Sequence, residues 1–174
     1  MIPYGRQFID EDDISAVIEV LRSDWLTTGP KVAKFEEAFA KHVGARYAVA
    51  VNSGTAALHA SIFAVGIKPG DEVIVPSFTF FATASCVARL GATPIFADID
   101  PVTFNLDPKD VEAKISPRTR AIIPVHLYGQ MADMRAFRRM THEHPDVGRR
   151  QILLVEDSAQ SIGAKLDGIP TGNW

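Results

Sequence analysis

One cysteine, Cys86, stands in 174 residues, so an internal disulfide framework is excluded. No apolar run approaches the ~20 residues that cross a bilayer, and no membrane association is expected. The opening residues, Met1-Ile2-Pro3-Tyr4-Gly5-Arg6, lack the charged-then-apolar layout of a secretory leader. A cytoplasmic location is therefore the expectation. Eighteen Lys and Arg against 21 Asp and Glu give a net charge of −3, so no basic excess points to nucleic acid. None of the five histidines has zinc-ligand spacing, and no metal site is expected. His142-Glu143-His144 reads as a solvated helix end, and Arg138-Arg139 with Arg149-Arg150 as solvated surface. Repeats, low-complexity tracts and linkers are missing too.

What remains is a chain of 47% hydrophobic and 22% charged residues, the composition of a globular protein with a real core. From residue 47 onward strands and helices alternate. Strands are expected at 47–51, 72–75, 93–99, 120–127 and 152–156. Helices are expected at 55–65, 80–90, 107–114 and 132–144, with Asp107 capping and Pro108 in the first turn of the third. That order predicts a mostly parallel sheet with helices on both faces. Before it, residues 10–24 form an amphipathic helix carrying Ile14, Val17, Ile18 and Leu21 at helical spacing. Pro30 opens a second helix that Gly44 ends. Residues 165–169 look like a hairpin cut off before its second strand.

Three strand ends carry polar chemistry. Asn52-Ser53-Gly54-Thr55 follows a strand and opens a helix, where free N–H groups and the helix dipole favour an anion. The bland alternative is a helix cap with nothing bound. The turn is not a P-loop, because no Gly-Lys-Ser/Thr follows. Pro76-Ser77-Phe78-Thr79-Phe80-Phe81 brings three aromatics to another junction. They are either all core, or one of them stacks on a flat ring. Ile152-Leu153-Leu154-Val155 delivers Glu156, Asp157 and Gln160 to the carboxyl end of a strand, where open parallel sheets bind ligands. Asp157 can hold a proton on a ring nitrogen, and Gln160 can donate to an oxygen of the same ring; the alternative is a carboxylate capping a turn. His126 either lines this cleft or is a satisfied core histidine. Asp98 and Asp100 read as caps, and Cys86 as buried and inert.

In chain order, Asp24-Trp25-Leu26-Thr27-Thr28-Gly29-Pro30, Asn52-Ser53-Gly54-Thr55-Ala56-Ala57-Leu58, Lys68-Pro69-Gly70-Asp71-Glu72-Val73, Pro76-Ser77-Phe78-Thr79-Phe80, Phe96-Ala97-Asp98-Ile99-Asp100, Pro124-Val125-His126-Leu127-Tyr128-Gly129-Gln130 and Glu156-Asp157-Ser158-Ala159-Gln160 resemble the DegT/DnrJ/EryC1/StrS family of pyridoxal-phosphate sugar aminotransferases. The resemblance covers essentially the whole chain. It implies the aspartate-aminotransferase fold (fold type I, an α/β architecture), pyridoxal 5'-phosphate as cofactor, and transfer of an amino group from glutamate to a keto group of a nucleotide-linked sugar, as in polysaccharide biosynthesis. It also implies cofactor-binding roles by position: Ser53, Gly54 and Thr55 at the phosphate, Phe80 stacked on the ring, Asp157 at the ring nitrogen and Gln160 at the 3-oxygen. Residues 2–7 lean towards the branch acting on UDP-linked 4-keto-6-deoxy sugars. A homodimer is the implied assembly.

Family members are about twice as long. Their Schiff-base lysine lies beyond the equivalent of Trp174, so no catalytic residue is expected in this chain. The domain expectation is a helical segment over 1–46 and an incomplete cofactor-binding large domain over 47–174, without the small C-terminal domain. The chain alone is expected to be inactive. The alternatives are a truncated non-catalytic protein and a fragment of a sugar dehydratase, since some relatives carry histidine at the lysine position.

Overall fold

A computed structural model describes residues 5–143 and 151–174. The chain divides into two compact units: residues 1–42 with 46–50, and residues 43–45 with 51–174.

In the first unit, α1 (Glu11–Leu21) begins at a reciprocal cap. The Asp10 carboxylate accepts the N–H groups of Asp12 and Asp13, while Asp13 returns a bond to the Asp10 N–H. Three orphan amide donors are thereby satisfied. The stripe of Ile14, Val17, Ile18 and Leu21 forms as the spacing predicts and stays exposed. Pro30 occupies the first position of α2 (Pro30–Val43), where its missing N–H costs nothing.

The strand expected at 47–51 does not form. Exposure alternates along the segment, with Tyr47 and Val49 exposed and Ala48 and Ala50 half-buried. Its Ala50 N–H is taken by the Glu36 carboxylate at 2.7 Å, not by a neighbouring strand. Alternation alone does not make a strand; the backbone groups need a ladder partner.

The second unit contains a parallel sheet in the order β2-β1-β3-β4. These strands are β1 (Glu72–Pro76), β2 (Thr93–Ala97), β3 (Thr119–Ile122) and β4 (Leu153–Leu154). Central β1 is paired on both sides, with Ile74 opposite Ile95 and Ile122, and all five of its residues are buried. Successive side chains point to opposite faces. Val73 and Val75 join Ala121 and Ile123 in one core with Ile62 of α3 (Gly54–Ala64) and Val87 of α4 (Ala82–Arg89). Ile74 and Ile122 join the other, with Val111 of α5 (Pro108–Lys114) and Met134 and Phe137 of α6 (Met134–Glu143). The predicted α/β layering is observed.

Three strands are shorter than expected: β2 ends at Ala97, β3 at Ile122, and β4 covers only Leu153 and Leu154. β3 stops at Ile122 because Pro124 has no N–H to extend a ladder; beyond it, the bridge Val125–Asp157 stands alone. The expected helix over 132–144 starts at Met134, and His144 lies outside the described residues, as do Arg149 and Arg150. The hairpin is a correction of the opposite kind. Its second strand is present: β5 (Lys165–Leu166) pairs antiparallel with β6 (Ile169–Pro170). Asp167 and Gly168 both have positive φ, 55° and 78°, the two-residue turn that Asp-Gly favours. Among the described residues no helix is long and apolar enough to cross a membrane.

Phe137 is fully buried between α6 and the sheet. Phe137→Ala should lower the unfolding free energy by about 3–5 kcal/mol, read as a lower urea midpoint. A shift of a few tenths of a kcal/mol would mean that the second core is not packed as described.

Candidate functional site

The carboxyl ends of β1, β3 and β4 open on one edge of the sheet. Just past β4 the chain is held to the end of β3 by two backbone bonds, Asp157 N–H to the Pro124 carbonyl at 2.9 Å and His126 N–H to the Asp157 carbonyl at 3.1 Å. Asp157 is 8% exposed. Both its oxygens are engaged: Oδ2 accepts the buried Thr83 hydroxyl of α4 at 3.1 Å, and Oδ1 accepts the Ala159 N–H at 3.3 Å. The second bond is the turn cap allowed by the sequence. The first spans 74 residues and makes the carboxylate a tertiary feature.

Gln160 is exposed, and its Oε1 accepts the Tyr128 N–H at 2.8 Å. Tyr128 has a φ of 56°, a left-handed conformation rare for a bulky residue. Its loop is fastened from below by Asn105, which accepts the Leu127 N–H and donates to the Gln130 carbonyl, each at 3.1 Å. Gln160 and Tyr128 are thus brought together, as the spacing alone did not predict.

His126 is fully buried, so it is a satisfied core histidine and does not line the cleft. Its Nδ1 accepts the Ala132 N–H at 3.1 Å, which places the ring hydrogen on Nε2. From there it donates to the Glu156 carboxylate at 2.8 Å. Glu156 also accepts the N–H groups of Gly172 and Trp174 at 2.9 and 2.8 Å. Burial pushes the Glu156 carboxyl up, but the donors from His126, Gly172 and Trp174 outweigh it and hold the group below its ordinary value.

Ser53 caps α3: its hydroxyl oxygen accepts the Ala56 N–H at 3.2 Å. Ser53 and Thr55 face Ser85, Cys86 and Arg89 of α4 across a cleft of about 480 Å³, with His59 on the same side as Thr55. Gly54 is exposed at the helix start, and a Cβ there would meet nothing within 4 Å. Cys86 is 2% exposed; burial pushes its thiol up, and its S–H donates to the Thr83 carbonyl at 3.1 Å. It is buried, as expected. The three aromatics are not core. Phe78 tilts against Phe104 with ring centroids 6.2 Å apart, whereas Phe80 is 75% exposed and Phe81 78%. Asp98 and Asp100 cap local backbone, Asp100 accepting the Val102 and Thr103 N–H groups. Among the described residues no three His, Cys, Asp or Glu side chains gather as a metal site.

Helix α4 is therefore shared. Its first turn meets Asp157, its later turns wall the Ser53–Thr55 cleft, and its Thr83 N–H bonds the Phe80 carbonyl at 3.1 Å. Thr83 was missed in the sequence. No local signal flags it, because the carboxylate it bonds lies 74 residues away in the chain.

A family model for the DegT/DnrJ/EryC1/StrS aminotransferases matches residues 7–174. The chain belongs to the DegT/DnrJ/EryC1/StrS aminotransferase family. A spore coat polysaccharide biosynthesis protein of Bacillus subtilis is 47% identical to it over 161 residues, 92% of this chain and 40% of the relative. A GDP-perosamine synthase of Caulobacter vibrioides is 44% identical over 166 residues, 95% of this chain and 43% of the relative. Among solved structures, a GDP-4-keto-6-deoxymannose-3-dehydratase with a trapped PLP-glutamate geminal diamine is similar at a TM-score of 0.89 and 31% identity, over 98% of this chain and 44% of that one. This member of the family thus spans about two fifths of the length of the curated relatives it matches.

The folded pKa of Glu156 lies below its unfolded value. Its contribution is therefore present above about pH 4.3 and is lost as pH falls through the lower folded value. Glu156→Gln should cost about 1–3 kcal/mol at pH 7, and the gap to the parent should close in acid. Urea midpoints at pH 7 and in acid check this; a gap independent of pH would contradict it.

Proposed function

We propose that this chain supplies the cofactor-binding face of a pyridoxal-phosphate-dependent aminotransferase that moves an amino group from glutamate to a keto group of a nucleotide-linked sugar. The observation that carries the reading is the Asp157 carboxylate, buried at a strand end and held by the same helix that walls the Ser53–Thr55 cleft. The donor set fits the group. Asp157 would face the ring nitrogen, and the exposed Phe80 ring is free to stack. Gln160 would meet the 3-oxygen. Thr55, with the Gly54 and Thr55 N–H groups at the start of α3, would take the phosphate. Because the Ser53 hydroxyl caps Ala56, its part is to order that turn. When bound, the cofactor supplies an electron sink. Asp157 strengthens it by keeping the ring nitrogen protonated, since an opposite charge favours the cation.

The covalent lysine is assigned to polypeptide outside these residues, and with it the completed active site and a homodimer in the cytoplasm. Residues 47–174 act in this reading as part of the large domain, preceded by the helical segment 1–46. Support for a sugar-nucleotide substrate comes from the perosamine synthase likeness. The narrower substrate, a UDP-linked 4-keto-6-deoxy sugar, rests on residues 2–7, of which 2–4 lie outside the described residues. The likeness to the dehydratase favours a second reading, sugar dehydration. The residue that occupies the lysine position decides between them.

Pyridoxamine 5'-phosphate needs no lysine and is the probe to use. The 174-residue chain should bind it, and Asp157→Asn or Thr55→Ala should weaken it about tenfold or more in a fluorescence titration. Glutamate with a keto-sugar nucleotide should not turn over on the chain alone. Equal affinity in parent and variants would sink the cofactor site, and turnover would sink the assignment of the lysine elsewhere.

A further inference from the structure

We propose that Thr83 is a positioning residue for Asp157, backed by Thr79 in a hydroxyl relay that runs in one direction; this rests on the cofactor reading above. Thr83 is fully buried in the first turn of α4. A buried helical threonine ordinarily returns its hydroxyl to a carbonyl one turn back, as Ser85 does to Ala82 at 3.4 Å. Thr83 instead reaches Asp157 Oδ2 at 3.1 Å. Its own oxygen lies 3.0 Å from the Thr79 hydroxyl.

The direction follows from the hydrogens available. An ionised carboxylate only accepts, and a hydroxyl has one hydrogen. Thr83 must therefore give its hydrogen to Asp157, so the bond between the two threonines must be donated by Thr79. With Ala159 N–H on the other oxygen, the carboxylate is gripped from two sides and its plane is fixed. Each oxygen keeps further accepting capacity for a ring N–H. Fixing an acceptor before the ligand arrives removes the cost of orienting it on binding. A valine at 83 has nearly the same shape and no hydrogen to give, whereas serine keeps the hydroxyl.

The test has two arms on the 174-residue chain, with circular dichroism to check that each variant folds. Without cofactor, the Thr83 hydroxyl proton should appear as a slowly exchanging NMR resonance that shifts in Asp157→Asn. The Thr79 hydroxyl resonance should lose its protection in Thr83→Val. With pyridoxamine 5'-phosphate as probe, Thr83→Val should weaken binding about tenfold, and Thr83→Ser should stay within about twofold of the parent. A Thr83 resonance indifferent to Asp157→Asn overturns the relay. Full affinity in Thr83→Val, beside weakened binding in Asp157→Asn, overturns the positioning role. If Asp157→Asn also binds as tightly as the parent, the cofactor reading fails instead, and the positioning role falls with it.

Discussion

Pairing of β1 on both edges is the constraint on which the second unit depends. A strand bonded on both sides must present alternate side chains to two faces, and in β1 Val73 and Val75 on one face and Ile74 on the other are apolar. Each face then needs cover, which α3 and α4 supply on one side and α5 and α6 on the other. Once the helices are placed, the connections have to cross the carboxyl ends of the strands. Asp157 is therefore brought to that edge by topology, beside the first turn of α4.

Burial at that edge is selective. Glu156 and Asp157 are neighbours in sequence and face different tasks. Glu156 is consumed by three donors and serves to pin residues 172–174. Asp157 is held by one hydroxyl and one amide and keeps accepting capacity. A carboxylate saturated by its own fold stabilises; one left partly open can recognise a ligand.

Much of this was legible in the sequence. The alternation of strand and helix patterns foretold the parallel sheet, and Asp107-Pro108 marked the start of α5. Asp157 and Gln160 stood out because short polar residues followed an apolar run. Several misses depend on partners far away in the chain. Nothing local in 47–51 says that Glu36, not a strand, takes the Ala50 N–H. The fate of His126 hinged on Ala132 and Glu156 together. Thr83 drew no role from the sequence, because its partner Asp157 lies 74 residues further along the chain. The hairpin was underread for a different reason, since two-residue strands leave too short a pattern to see.

Gln160 carries one further consequence. A side-chain amide is ordinarily ambidextrous, able to give or take a hydrogen bond according to how it is turned. The left-handed twist at Tyr128 aims a backbone N–H at the amide oxygen, and flipping the amide would set two donors against each other. The outward end is thereby sorted to the NH₂ group. In the proposed reading, the outward NH₂ then offers its hydrogens to a ring oxygen that has given up its proton.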